Sequence, residues 1–461
     1  MRRWVVAVVV AGLAGCGGSD APQRQVQQPT ATAADATAAP QRDDAGPRPR
    51  LSGAKPCADV PDATCSTLRV PLDYSGGSDE TLDLRVAVAG PKAAPVMILL
   101  TGGPGEPGLP FMGRAREWFG PEAAKLRLVA IDQRGTGEDA LKCPALQEAM
   151  GASDLTPPPA DAVKRCAEAI GDERRLFTTA DTVADLDALR RALGEQKVAF
   201  DGVSYGTYVA QRYALAHPRN VSRLVLDSVV PSDGISLLSL DPIKAAERVL
   251  GEDTARDLAT VVKNEHNGPQ MLDMLTGLSV GAPRGNGAEQ ALEAAANGNA
   301  GPLEGLQSGV SRVMKSWTAE KLSQGLHAST LCADMPAPWG DASAPLEGRN
   351  EALEKEASRL DDLYPFDRAT ATGNGIAQQC LNWPPVDVPK PDGPKDLPDV
   401  PVLLLAGTLD LSTPLEWAQR AAERAPGGKL VVVENAGHGV QNQKDPEMLE
   451  TLRAFVAALA G

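Results

Sequence analysis

The sequence predicts an α/β fold, a mostly parallel central sheet flanked by helices and interrupted by a helical insertion. Three observations lead there. Two nearly continuous apolar runs, APVMILLTGG (94 to 103) and LRLVAIDQRG (126 to 135), read as buried parallel strands. KVAFDGV, YGTYVAQRYALAHP and VSRLVLDSVV then follow as strand, helix and strand up to residue 230, the spacing of right-handed parallel crossovers. The alternation breaks off near Pro231 and resumes with DVPVLLLAG (399 to 407), so the two halves read as one sheet.

The elements can be taken in order. Residues 1 to 15 begin with two arginines and an apolar run from Trp4 to Ala14, the pattern of a secretory signal and too short to span a membrane as an ordinary helix. Leu13, Ala14, Gly15 and Cys16 resemble a bacterial lipobox, which implies cleavage before Cys16 and acylation of that cysteine. Residues 16 to 50 are rich in Ala, Thr, Gln, Pro and Asp and read as a flexible tether. A first part of the α/β core covers 51 to 231. It opens with two partly alternating segments, STLRVPLDY (66 to 74) and TLDLRVAVAG (81 to 90), expected as antiparallel strands. DTVADLDALRRALG (181 to 194) places Val183, Leu186, Leu189 and Leu193 on one helical face and stops at Gly194.

Residues 232 to 395, rich in Ala, Leu and Glu, are expected to form a helical cap over the carboxyl ends of the strands, where insertions shape substrate pockets. The second part of the core, 396 to 461, supplies a further strand, the helix PLEWAQRAAERAP, the strand KLVVVEN and a final helix.

Composition removes several classes of function. The 45 Lys and Arg stand against 60 Asp and Glu, a formal charge of −15, and no basic stripe is present, so nucleic acid is excluded as a partner. Apart from Cys16 there are six cysteines: Cys57, Cys65, Cys143, Cys166, Cys332 and Cys380. An even number in an exported chain favours disulfides over thiol chemistry or metal binding. Fifteen pairings are open and the sequence does not select one; sequential pairing is our expectation. With no CxxC pair and only four histidines, no metal site is expected.

GVSYG (202 to 206) matches the pattern G-x-S-x-G between a strand and a helix. Such a turn lifts the Ser204 hydroxyl above the sheet, and glycines are needed where side chains would strike neighbouring backbone. A serine nucleophile needs a base, and the base needs an orienting carboxylate. Of the four histidines, His217 ends the helix after the turn, and His266 and His327 lie in the insertion. His438, in ENAGHG, directly follows an expected strand, as does Asp410 in LLLAGTLDLSTP. Serine, aspartate and histidine thus fall at strand ends in the order an α/β-hydrolase requires. The backbone amides of Gly103, in TGGPG after an early strand, and of Tyr205 are the expected oxyanion donors. This chemistry calls for no cofactor.

GGPG (102 to 105), DQRGTG (132 to 137), GVSYG, the Asp410 segment and AGHG (436 to 439) together resemble the proline-iminopeptidase-like α/β-hydrolases. More narrowly, CSTLRVPLDY, LCADMP, CLNWP and GTLDLSTP look like secreted actinobacterial tripeptidyl aminopeptidases. The resemblance implies a serine exopeptidase that releases tripeptides or single residues from free amino termini, with Ser204, Asp410 and His438 as its triad. It also implies acidic side chains for the substrate's amine, with Asp334 as the candidate. Thr101 and Glu106 depart from the family pattern and border the oxyanion loop. Two other readings remain: an esterase or lipase with the same triad, and a non-catalytic surface protein on a hydrolase scaffold. The exopeptidase reading implies a lipid-anchored or secreted bacterial protein acting on peptides.

Overall fold

The computed structural model describes residues 48–281, 283–389 and 395–459. The signal segment, Cys16 and nearly all of the tether lie outside them.

Nine strands form one sheet: β1 (Leu51–Pro56), β2 (Thr64–Pro71), β3 (Thr81–Ala89), β4 (Val96–Leu100), β5 (Arg127–Ile131), β6 (Val198–Val203), β7 (Val221–Asp227), β8 (Val402–Gly407) and β9 (Gly428–Val433). Their spatial order is β1-β2-β3-β5-β4-β6-β7-β8-β9. Pairing is antiparallel from β1 to β5 and parallel from there to β9. The chain therefore has the α/β-hydrolase fold, as the apolar runs predict.

Every residue of β4, β6 and β8 is buried, because helices cover both faces of these central strands. Successive side chains point to opposite faces and feed two cores. Ile98, Phe200, Leu226 and Leu404 pack on one side, and Met97, Leu99, Val225 and Leu403 on the other, against Trp118, Phe119 and Leu452. The helix expected near residue 181 runs Thr179–Leu193, held at its start by a capping box between Thr178 and Asp181. Its four predicted apolar residues are all buried.

Three features were not read from the sequence. β1 is mostly exposed and carries no apolar alternation, so only its pairing with β2 makes it a strand. Nine helices lie between β7 and β8 among the described residues, as the cap expectation requires, but the cap does not end there. Helices Pro144–Met150 and Ala160–Ile170, before the elbow in sequence, pack with it: Leu146, Met150 and Val163 share a core with Ala328 and Trp383. These two helices thus belong with the cap. Their sequence is no less helical than the cap's, and only the packing shows where they sit.

The six cysteines form Cys57–Cys65, Cys143–Cys166 and Cys332–Cys380, the sequential pattern. Three disulfides fit a chain that folds in an oxidising compartment. Among the described residues no helix is long and apolar enough to cross a membrane.

Arg134, from DQRGTG, is completely buried. Its guanidinium meets both oxygens of buried Asp185 at 2.7 Å and donates to the carbonyls of Leu72 and Leu176, tying the β2–β3 turn to helix Thr179–Leu193. Arg134→Ala would leave Asp185 as an uncompensated buried anion. Urea denaturation should show a loss of about 3–5 kcal/mol.

Candidate active site

The turn after β6 has the sharpness that its letters demand. Ser204 sits at φ 56° and ψ −126°, a conformation that costs a residue with a side chain about 1–3 kcal/mol. Neighbouring groups over-determine it. Ser204 N–H donates to the Asp227 carbonyl at 3.0 Å, and the Ser204 carbonyl accepts from the amide and hydroxyl of Thr207 at 2.9 and 2.7 Å. A methyl group on Gly202 would lie 2.5 Å from the Gly206 carbonyl oxygen, and one on Gly206 would lie 2.6 Å from that of Leu100. Both glycines are steric necessities. The Ser204 hydroxyl itself makes no hydrogen bond among the described residues, and it faces a cavity.

Asp410, after β8, is completely buried. One oxygen accepts from the amides of Ser412 and Thr413 at 2.8 and 2.9 Å; the other accepts from the Thr413 hydroxyl at 2.7 Å and from His438 Nδ1 at 3.0 Å. Burial would raise its pKa, but the His438 charge and these donors outweigh that and hold the carboxyl below the ordinary carboxylate range. For His438 the balance has the same form with opposite sign. Burial disfavours its charge, yet Asp410 leaves the imidazole above the usual histidine value. With Nδ1 engaged, Nε2 is left for a reacting group.

Both expected oxyanion donors, Gly103 and Tyr205, line the cavity that Ser204 faces. Tyr205 opens helix Tyr205–Ala216, so its amide has no partner within the helix, while its hydroxyl is tied to Thr179 Oγ1 at 2.7 Å. Its ring is structural and its amide is free. The neighbouring Gly102 amide is taken by Glu106 Oε2 at 3.3 Å.

Asp334 is placed differently from its expected role. It accepts from the Thr179 amide at 2.8 Å and faces a separate cavity lined by Tyr208, Arg212 and His217. Burial pushes its pKa up to about 6. It ends the cap helix Gln324–Asp334, and that helix turns it from Ser204 while Leu331 and Met335 face the Ser204 cavity.

Two other carboxyls stand on the Ser204 side. A methyl group placed on Gly102 would lie 3.5 Å from both Ser204 Oγ and Glu106 Oε2, so the two oxygens are within twice that distance of each other. Asp154, from the cap segment between β5 and β6, lines the Ser204 cavity, and its carboxyl lies 2.9 Å from His327 Nε2. Burial raises Glu106, and the Asp154 charge adds to the rise, against Arg114, the Gly102 amide and His438. Among the described residues no Lys or Arg lines the cavity. Glu106 was visible as a departure from the family pattern. Asp154 had no signal beyond being one acidic residue among many.

Among the described residues no group of His, Cys, Asp and Glu could hold a metal ion.

Residues 95–271 match the family model described as alpha/beta hydrolase fold, and residues 364–458 match that described as TAP-like protein. Fold, elbow and matches agree on the α/β-hydrolase fold. The chain is 28% identical over 449 residues to the tripeptidyl aminopeptidase of Streptomyces lividans, covering 83% of this chain and 79% of that one. It is 28% identical over 206 residues to serine protease Hip1 of Mycobacterium tuberculosis, covering 40% of this chain and 38% of the other. A solved proline iminopeptidase-related protein from Thermus thermophilus aligns at TM-score 0.40 with 17% identity, covering 86% of this chain and 98% of that one.

NMR titration of the His438 imidazole should give a value above that of free histidine. In Asp410→Asn, with the charge gone and burial left in place, it should fall below the free value.

Proposed function

We propose that this chain is a serine exopeptidase that cleaves near a free amino terminus, releasing a single residue or a short peptide such as a tripeptide through an acyl-enzyme. The observation that carries the reading is the Asp410–His438 hydrogen bond, with the loop after Asp410 sharing the Ser204 cavity through Leu411, Ser412 and Thr413. In this reading Ser204 Oγ attacks the scissile carbonyl carbon while His438 Nε2 takes its proton. Asp410 keeps the Nδ1–H tautomer and stabilises the imidazolium that forms. The amides of Gly103 and Tyr205 donate to the tetrahedral oxyanion, assisted by the amino terminus of the helix that Tyr205 opens. His438 then protonates the leaving amine, and water hydrolyses the ester by the same steps in reverse roles.

Glu106 and Asp154 are proposed to meet the substrate's ammonium group, in place of Asp334. A cavity wall bearing Asp154 and, among the described residues, no Lys or Arg favours a cation, and Glu106, raised by burial and further by the Asp154 charge, regains its charge when an ammonium arrives. The likeness to a tripeptidyl aminopeptidase supports the same substrate class. Cys16 is proposed as the lipid attachment point of an exported protein.

Ser204→Ala should abolish turnover of free-amine peptidyl chromogenic substrates, with a loss of about 10³-fold or more in kcat. Acetylating the substrate's amine should remove it as a substrate; equal turnover of free and blocked forms would show an esterase-like site instead. Glu106→Gln combined with Asp154→Asn should raise KM for free-amine substrates by about tenfold or more and leave blocked esters unaffected. Because the base must be neutral, kcat/KM should rise with pH through the elevated His438 value.

A further inference from the structure

Asp201 and Asp227 are completely buried on the neighbouring strands β6 and β7. Asp201 stands three residues before Ser204, and Asp227 ends the strand beside it. The Asp227 carboxylate is well supplied with donors. Its two oxygens accept from the amides of Val440 and Gln441 at 2.8 and 2.9 Å, and Ser228 Oγ lies 3.2 Å away. The Ser228 hydroxyl in turn accepts from the Gly439 amide at 2.8 Å. Three consecutive amides after His438 are therefore bound by two residues at the end of β7.

Asp201 is poorly supplied. Among the described residues its one hydrogen-bonding neighbour is the Gln441 side-chain amide, with Nε2 at 3.3 and 3.5 Å from its two oxygens. The groups acting on Asp201 are Asp227 across the strand pair and Gln441 from the His438 loop. Those acting on Asp227 are the Gln441 and Val440 amides, His438 and Ser228, and His438 itself faces Asp410 and Glu106. Among the described residues no Lys or Arg pairs with either carboxyl.

Two adjacent carboxylates in a dry core without a cation cannot both stay ionised. Asp227, with its amide donors, is the better anion, so the proton falls to Asp201. The side chain of Gln441 fits that state. Its Oε1 is buried without a partner, and the amide oxygen and nitrogen are interchangeable in placement. Turned over, Oε1 would accept the acid O–H of Asp201. Burial and the Asp227 charge push Asp201 up to about 8, while burial pushes Asp227 to about 6, so the order agrees with the geometry.

We propose that Asp201 and Asp227 hold one proton between them, resident on Asp201, and that this neutral acid and its anionic neighbour, bridged by Gln441, position the loop that carries His438. Asp201 and Asp227 are positioning residues, since neither reaches the substrate cavity. Loss of the shared proton sets two anions side by side beneath the loop. The effect on catalysis rests on the reading of His438 as general base; the proton sharing does not.

Urea denaturation of the full chain against pH tests the proton. An unfolded aspartate releases it near pH 3.9, whereas folded Asp201 keeps it to about 8. The native state binds the extra proton in that window, so this residue lowers stability as pH rises from about 4 to 8, with no further effect above. Asp201→Asn lacks this contribution, and its stability relative to wild type should grow steadily across the window. Parallel curves would overturn the shared proton whatever the chain's activity.

Kinetics test the positioning. Asp201→Asn keeps a neutral donor and acceptor, so its kcat at pH 7 should stay within about threefold of wild type and persist above pH 8, where the wild type declines. Asp227→Asn should lower kcat by about tenfold or more with KM within about threefold, the signature of a misplaced base. If Asp227→Asn does not fold, Gln441→Met should show the same split. Unchanged kcat in the folded variant would overturn the positioning role, and an active Ser204→Ala would separately overturn the catalytic reading.

Discussion

The end of β7 is the joint on which the site depends. The backbone carbonyl of Asp227 accepts from Ser204 N–H and holds the elbow, while its side chain accepts from two amides of the His438 loop. One residue therefore fixes both partners of the proposed proton transfer, through its main chain on one side and its carboxylate on the other. Asp410 orients the imidazole ring, but the position of the loop bearing that ring is set from below. A buried anion serves this purpose because charge-assisted bonds to backbone amides are short and directional, and it is tolerated only because its neighbour stays neutral.

The cap meets this joint from above. His438 N–H donates to the Ser279 carbonyl at 3.0 Å, and a methyl group on Gly437 would strike the same carbonyl at 2.1 Å. The end of cap helix Gly268–Gly281 thus rests on the histidine loop. Substrate pocket and base are mechanically continuous.

Much of this was legible in the sequence, and the limits have physical causes. Buried strands betray themselves as apolar runs, and the elbow betrays itself because two glycines are sterically compelled, so the sheet, the candidate nucleophile and the strand-end Asp410 and His438 could be read directly. Side chains whose meaning comes from a partner distant in sequence could not. Asp201 interrupts the apolar run VAFDGV and Asp227 closes VSRLVLD; each is an anomaly in a core strand, and neither names Gln441 as its partner. Asp334 was the candidate for the acidic residue that the family resemblance implied, but helical phase turns it to the other cavity. Asp154 became part of the site only because a segment before the elbow in sequence packs into the cap.

That two-part cap has a temporal consequence. The walls of the Ser204 cavity come from residues as early as Gly103 and as late as Trp417, and His438 lies later still. A chain emerging amino terminus first, from ribosome or export pore, presents its serine long before the wall and the base that would arm it. On the proposed mechanism, chain order alone would keep the nascent polypeptide inert until nearly all of it has arrived.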